Sequence, residues 1–153
     1  TVVYRARGYD KRQAPQPYIL FYSTYPVVVH EGWNALAPGS SASPPPPDGF
    51  GPELSFGRAL ADHGPPGRQV ALIKISKGGT SLAKDWRPET GPCLRKLLDG
   101  VHDAMGRLER DGRPARIRAF LWLQGEADAN FRDPAERYEG RLRAFIATLT
   151  VSR

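Results

Sequence analysis

Val70-Ala71-Leu72-Ile73-Lys74-Ile75 is a β-branched run of strand length, closed by Gly78-Gly79 and set between two stretches of helical periodicity. That placement constrains the fold more than any other feature of the chain. A largely apolar strand between helices is buried on both faces, which points to a parallel sheet rather than to a one-sided antiparallel one. Upstream, Pro52 suits a first helical position and Glu53 the positive end of a helix dipole. Leu54, Ala59, Leu60 and Ala61 supply that helix with an apolar stripe, and Gly64-Pro65-Pro66-Gly67 stops it. Downstream, Leu94, Leu97, Leu98, Val101, Met105 and Leu108 recur at helical spacing, with Arg95, Lys96, Asp99 and Arg107 between them. Gly112 and Pro114 end this second helix.

Residues 117–123 are expected to form a second strand. Asp133-Pro134-Ala135-Glu136 is a capping-box-like start for a last helix, whose apolar face is Tyr138, Leu142, Phe145, Ile146 and Leu149. Helix, strand, helix, strand, helix implies an α/β fold with a parallel sheet covered on both sides. Residues 1–50 differ in character. They mix short apolar runs with turn formers and end in Pro44-Pro45-Pro46-Pro47, which favours an extended polyproline conformation. Residues 18–22 and 27–29 are candidate strands, but Pro17 and Pro26 assign them to edges or to an irregular excursion. The chain therefore divides into a loop-rich segment over 1–50 and a helix–strand–helix–strand–helix core over 51–153, together one domain.

Several function classes are disfavoured early. No apolar run approaches the roughly 18 residues of a membrane helix, so no membrane span is expected. Cys93 is the single cysteine, and His30, His63 and His102 have no ligand spacing, so neither a disulfide nor a metal is expected. The 22 Lys and Arg against 16 Asp and Glu give a formal charge of +6. Arg107, Arg110, Arg113, Arg116 and Arg118 cluster near the end of the second helix, but Glu109 and Asp111 interrupt them. Without a nucleic-acid motif they read as a solvated face, and no nucleic-acid partner is expected. The chain opens on Thr1 with no signal-like segment, and neither compartment nor oligomeric state is legible.

In a parallel sheet the ligand site lies beyond the carboxyl ends of the strands. Two loops leave those ends. One is Ser76-Lys77-Gly78-Gly79-Thr80-Ser81, where glycines allow close backbone approach and the amides can form a nest for an anion. The other is Gln124-Gly125-Glu126-Ala127-Asp128. Strand alternation places Phe120, Trp122 and Gln124 on one face and Leu121 and Leu123 on the other, so Gln124 emerges at the rim. A fixed carboxamide there can donate to an oxygen that turns negative during acyl transfer, and Glu126 and Asp128 can orient a histidine or act as acids and bases. Alternatively the two carboxylates cap the next helix or lie in solvent. Trp33 and Trp86 offer flat faces suited to sugar rings, or serve as core or rim aromatics.

Three blocks carry a resemblance in order and spacing. They are Gly51-Pro52-Glu53-Leu54-Ser55-Phe56, then Lys74-Ile75-Ser76-Lys77-Gly78-Gly79-Thr80-Ser81-Leu82 with Asp85-Trp86, then Trp122-Leu123-Gln124-Gly125-Glu126-Ala127-Asp128. From about Trp33 onward the chain resembles the sialate O-acetylesterase-like domain, also called carbohydrate esterase family six, within the SGNH hydrolases. The resemblance implies a three-layer α/β/α sandwich and a serine esterase that removes acetyl groups from sugar hydroxyls without a cofactor. It implies catalytic roles for Gly79 and Gln124 as oxyanion elements and for Glu126 as the acid that orients the histidine in some members. Other members use an aspartate three residues before that histidine. Gly78, Thr80, Trp86 and Asp128 are the residues expected to bind an acetylated carbohydrate.

The chain also departs from the family. The nucleophile block Gly-Gln-Ser-Asn and the Asp-x-x-His block are both absent from the 153 residues. Ser23, Ser76 and Ser81 lack the context of a nucleophile, and roles in loop hydrogen bonding suit them better. The expectation is an internal fragment of a longer esterase, incomplete at both ends and inactive by itself. The alternative is a non-catalytic carbohydrate-binding or interaction module that kept the fold.

Overall fold

Two strands far apart in sequence pair in the main sheet, and the one at residues 70–75, expected to be buried on both faces, is an edge among the described residues with none of its residues buried. In the computed structural model, which describes residues 4–5, 16–25, 32–40 and 49–151, strand β2 (Gln16–Tyr25) runs parallel to β5 (Val70–Ile75), with Ile19 opposite Val70 and Tyr22 opposite Ile73. Strand β3 (Asn34–Leu36) adds antiparallel to the other edge of β2, giving the order β3-β2-β5. Strands β1 (Tyr4–Arg5) and β4 (Gly49–Phe50) form a separate antiparallel pair. The expected strand at 27–29, the tract at 44–47 and His30 lie outside the described residues.

Two expectations for the sheet are corrected here. It is mixed rather than parallel throughout, and β2 is its central strand rather than an edge or an irregular excursion. Pro17 is tolerated because it sits near the start of β2, where the register with β3 shifts between Gln16 and Leu20. A bulge is where a residue without an N–H costs the ladder least.

Helices meet the β2–β5 pair from two sides. Helix α1 (Pro52–His63) contributes Leu54 and Ala61 to a cluster with Ile19, Phe21, Leu36, Val70 and Leu72. The helix approaches closely at Gly57, where a Cβ would stand 2.9 Å from Leu36 and 3.1 Å from Leu72. Its inward face is thus Leu54, Gly57 and Ala61, whereas Ala59 and Leu60 of the expected stripe are exposed. Helix α2 (Pro92–Arg110) carries Cys93, Leu94 and Leu97 into a second cluster with Leu82, Trp86 and Phe145, against which Ile75, Leu98 and Val101 pack. Gly112, at φ +67°, ends it in a left-handed turn, with the Arg113 amide donating to the Leu108 carbonyl at 2.9 Å.

Tyr22 ties the sheet to α2. Its hydroxyl donates to Asp103 at 2.6 Å, and Arg107 donates to the same oxygen at 2.8 Å. The Tyr22 bond first, and then Arg107, hold the Asp103 carboxyl below its ordinary range. A carboxyl whose folded pKa is depressed contributes stability above its unfolded pKa, about 3.9, and loses it as the pH falls through the folded value. Asp103 and Arg107 are each 43% exposed, so solvent screens the pair. Asp103→Asn is expected to lower stability by less than about 1 kcal/mol at pH 7, with the difference fading below about pH 4. Urea unfolding at pH 7 and pH 2.5 checks this, and a difference that grew on acidification would contradict it.

Residues 117–123 are not a strand, which corrects the expected second strand of the core. Among the described residues they have no ladder partner, and Leu123 is 89% exposed. The alternation nevertheless persists. Phe120 and Trp122 turn toward Phe145, with ring centroids 5.9 and 4.5 Å away, while Leu121 and Leu123 face outward. The pattern fixes which side chains go inward, but a strand also needs a neighbour to receive its amides and carbonyls.

A short helix α3 (Glu126–Ala129) stands in the stretch expected to be a loop, and the expected last helix is two pieces, α4 (Arg132–Glu136) and α5 (Tyr138–Val151), separated at Arg137. Tyr138, Leu142, Phe145 and Leu149 of α5 reach the second cluster, and Ile146 stays exposed. No helix among the described residues is long and apolar enough to cross a membrane. The result is a mixed α/β fold.

Candidate active site

The loop after β5 is shaped by its own hydrogen bonds. Gly79 has φ +68°, a left-handed conformation that glycine adopts at little cost, and a Cβ there would meet nothing within 4 Å. Thr80 closes the turn by donating from its hydroxyl to the Lys77 carbonyl at 3.0 Å, and the same hydroxyl accepts from Trp86 Nε1 at 2.8 Å. Asp85 accepts the Ser81 amide at 3.0 Å, and the Asp85 carbonyl accepts the Cys93 amide at 2.8 Å. The loop is thereby fastened to the first turn of α2. Gly78 and Gly79 remain exposed.

The second loop meets the first through two side chains. Gln124 Nε2 donates to the Thr80 carbonyl oxygen and to Asp128 Oδ2, both at 2.8 Å. Asp128 also accepts the amides of Leu82 at 2.8 Å and Ala83 at 3.2 Å. Residues separated by more than 40 positions are thus joined by three bonds, one from the carboxamide and two to the carboxylate, and a fourth bond ties the carboxamide to the carboxylate. Asp128 is 1% exposed, a burial that a carboxylate tolerates when several donors face it. Glu126 is exposed, and its carboxylate accepts the Gly125 amide at 3.1 Å.

The expected site residues therefore fall into two groups. Gln124 joins the first loop at Thr80, next in sequence to the exposed Gly78 and Gly79, while Glu126 lies exposed at the start of α3. Thr80, Trp86 and Asp128, expected to bind the sugar, are buried, and their side chains bond to the protein. Trp86 packs edge-on against Trp122 at 5.2 Å and close to Phe145 at 6.3 Å, as a core aromatic. Trp33 belongs elsewhere, donating to the Ala104 carbonyl at 2.9 Å and leaning on Tyr22. His63 is bonded to the Ala59 carbonyl within α1, and His102 is exposed on α2, so neither belongs to these loops. A groove of about 330 Å³ lined by Tyr18, Asp62, Arg68 and Val70 lies at the opposite end of β5.

One residue went unnoticed in the sequence as part of the site. Tyr138 donates from its hydroxyl to the Gln124 main-chain carbonyl, stands 3.3 Å from Gln124 Oε1, and accepts from Trp122 Nε1 at 3.2 Å. Helical spacing identified its ring as part of an apolar face, but nothing in that spacing tells where the hydroxyl goes.

Chemically, the junction offers an exposed glycine turn, a carboxamide anchored beside it and a solvent-facing carboxylate. A family model described as carbohydrate esterase, sialic acid-specific acetylesterase, matches residues 9–152. No curated protein and no solved structure matches the chain.

Proposed function

From the premise that the chain belongs to the sialic acid-specific acetylesterase family of carbohydrate esterases, we propose that it forms the oxyanion side of a serine esterase acting on O-acetylated sugars. The fold in which it does so is a three-layer α/β/α sandwich of the SGNH type. A serine hydroxyl gives its proton to a histidine and bonds to the acetyl carbon, whose carbonyl oxygen becomes negative. The Gly79 amide and the Gln124 carboxamide donate to that oxygen. Collapse of the intermediate breaks the bond to the sugar oxygen, which leaves with the proton from the histidine. Water then attacks the acyl-enzyme and releases acetate. Glu126 orients the histidine, exchanging its bond to the Gly125 amide for one to the imidazole. The serine and histidine are not assigned to residues of this chain, which lacks the Gly-Gln-Ser-Asn block.

The observation that carries this reading is the Gln124 bond to the Thr80 carbonyl, 2.8 Å long, which brings the carboxamide to the glycine turn beyond the end of β5. A second reading, a carbohydrate-binding module without turnover, is favoured by the fact that both Nε2 protons already have protein acceptors. Oxyanion duty requires one of those bonds to be given up.

The two readings part in one experiment. The full-length protein is incubated with O-acetylated sialic acids and acetylated oligosaccharides while acetate release and calorimetric binding are followed together. Acetate release is expected. Binding without release would support the module, and neither would remove both.

A further inference from the structure

The two ends of a carboxamide are alike in outline, and only their neighbours tell which end is nitrogen. At Gln124 the neighbours are unequal. A carboxylate and a main-chain carbonyl, both pure acceptors, stand 2.8 Å from Nε2, while the Tyr138 hydroxyl, held from behind by Trp122 Nε1, stands 3.3 Å from Oε1. A flipped amide would set its oxygen against Asp128 Oδ2, acceptor against acceptor in a buried place. The nitrogen end is therefore locked toward the glycine loop.

The two Nε2 protons are not equivalent either. One is bound to Asp128, a buried carboxylate further fixed by the Leu82 and Ala83 amides. The other is bound to the neutral carbonyl of Thr80. Hydrogen bonds to a charged acceptor are roughly twice as strong as neutral ones. When an ester oxygen gains negative charge nearby, the proton on the Thr80 carbonyl is the one that transfers its bond.

We propose that Asp128 and Tyr138 are positioning residues for Gln124, locking its carboxamide so that the N–H facing Thr80 is the one presented to the substrate's carbonyl oxygen. This rests on the esterase reading above. Asp128 acts by retaining one proton and by holding the glycine loop at Leu82 and Ala83. Tyr138 acts by fixing the main chain of Gln124, from which the side chain projects.

The test uses full-length, 15N-labelled protein carrying Asp128→Asn or Tyr138→Phe, with Gln124→Ala to assign the side-chain signals. Asparagine keeps the shape of the aspartate but replaces one acceptor oxygen with a donor. In Asp128→Asn, exchange of the Gln124 side-chain protons and of the Leu82 and Ala83 amides is expected to quicken by about tenfold or more. In Tyr138→Phe only the Gln124 protons are expected to respond. On an acetylated substrate, kcat is expected to fall by about tenfold to a hundredfold for Asp128→Asn and by about threefold to tenfold for Tyr138→Phe, with KM within about twofold in both. Unchanged exchange in both variants would overturn the arrangement. Altered exchange with unchanged kcat would overturn the positioning role. No turnover in the unmutated protein would instead remove the esterase reading, and with it the kinetic role, while the exchange data still decide the arrangement.

Discussion

Phe145→Ala is expected to cost about 3–5 kcal/mol of folding stability, the range for removing a buried aromatic and leaving a cavity. Phe145 is 0% exposed and is ringed by Trp122, Phe120 and Trp86 at centroid distances of 4.5, 5.9 and 6.3 Å. It is the fully buried aromatic through which α5 enters the second cluster. Residues 117–123 have no ladder partner among the described residues, so the contacts of Phe120 and Trp122 with this ring fasten that segment. Loss of the ring should therefore release the segment, and Gln124 at its end should follow. Urea unfolding gives the free energy, and near-ultraviolet circular dichroism reports the tryptophans. A loss below about 1 kcal/mol would mean that neighbouring rings refill the space, against the expectation for a rigid core.

Gln124→Ala in the full-length protein is expected to lower turnover by roughly tenfold to a thousandfold, the range for deleting one oxyanion donor. The substitution has two separable effects. It removes a donor from the developing oxyanion, and it unties the Thr80 carbonyl from Asp128. Gln124→Glu distinguishes them from mere shape, since it keeps the length of the side chain but sets a second carboxyl against Asp128. That variant is expected to be the less stable of the two, because a second carboxyl beside the buried Asp128 either repels it or must take up a proton. Initial rates on an acetylated sugar, with urea unfolding of each variant, decide the matter. Unchanged turnover in Gln124→Ala would take the residue out of the mechanism.

Much of the local structure was legible in the residues. The β-branched run at Val70–Ile75 is a strand, Pro52 begins α1 at its first turn, and Gly112 follows the end of α2 in a left-handed turn. Alternation put Phe120 and Trp122 on one face and Leu121 and Leu123 on the other, and the first pair does reach the Phe145 ring, although no ladder forms there and Phe120 stays 47% exposed. The two loops named as sites do meet, at the Gln124 bond to Thr80. The local features among these follow from short-range rules, in which dihedral preferences, caps and periodicity act over a few residues, whereas the meeting of the two loops is a contact between distant residues that those rules do not determine.

Tertiary structure alone decided the rest. It made β2 the central strand of its sheet despite Pro17, because pairing depends on which distant segments offer free amides and carbonyls, and the register with β3 shifts across the stretch that holds the proline. It left residues 117–123 without a ladder for the same reason. It turned Thr80, Trp86 and Asp128 inward as supports, and it brought the Tyr138 hydroxyl to Gln124. Sequence periodicity reports that a side chain is apolar or polar and which face it shares. Whether a polar group ends in solvent or in a buried network depends on donors and acceptors more than 40 residues away, here the amides of Leu82 and Ala83 for Asp128, and only the folded chain brings those together.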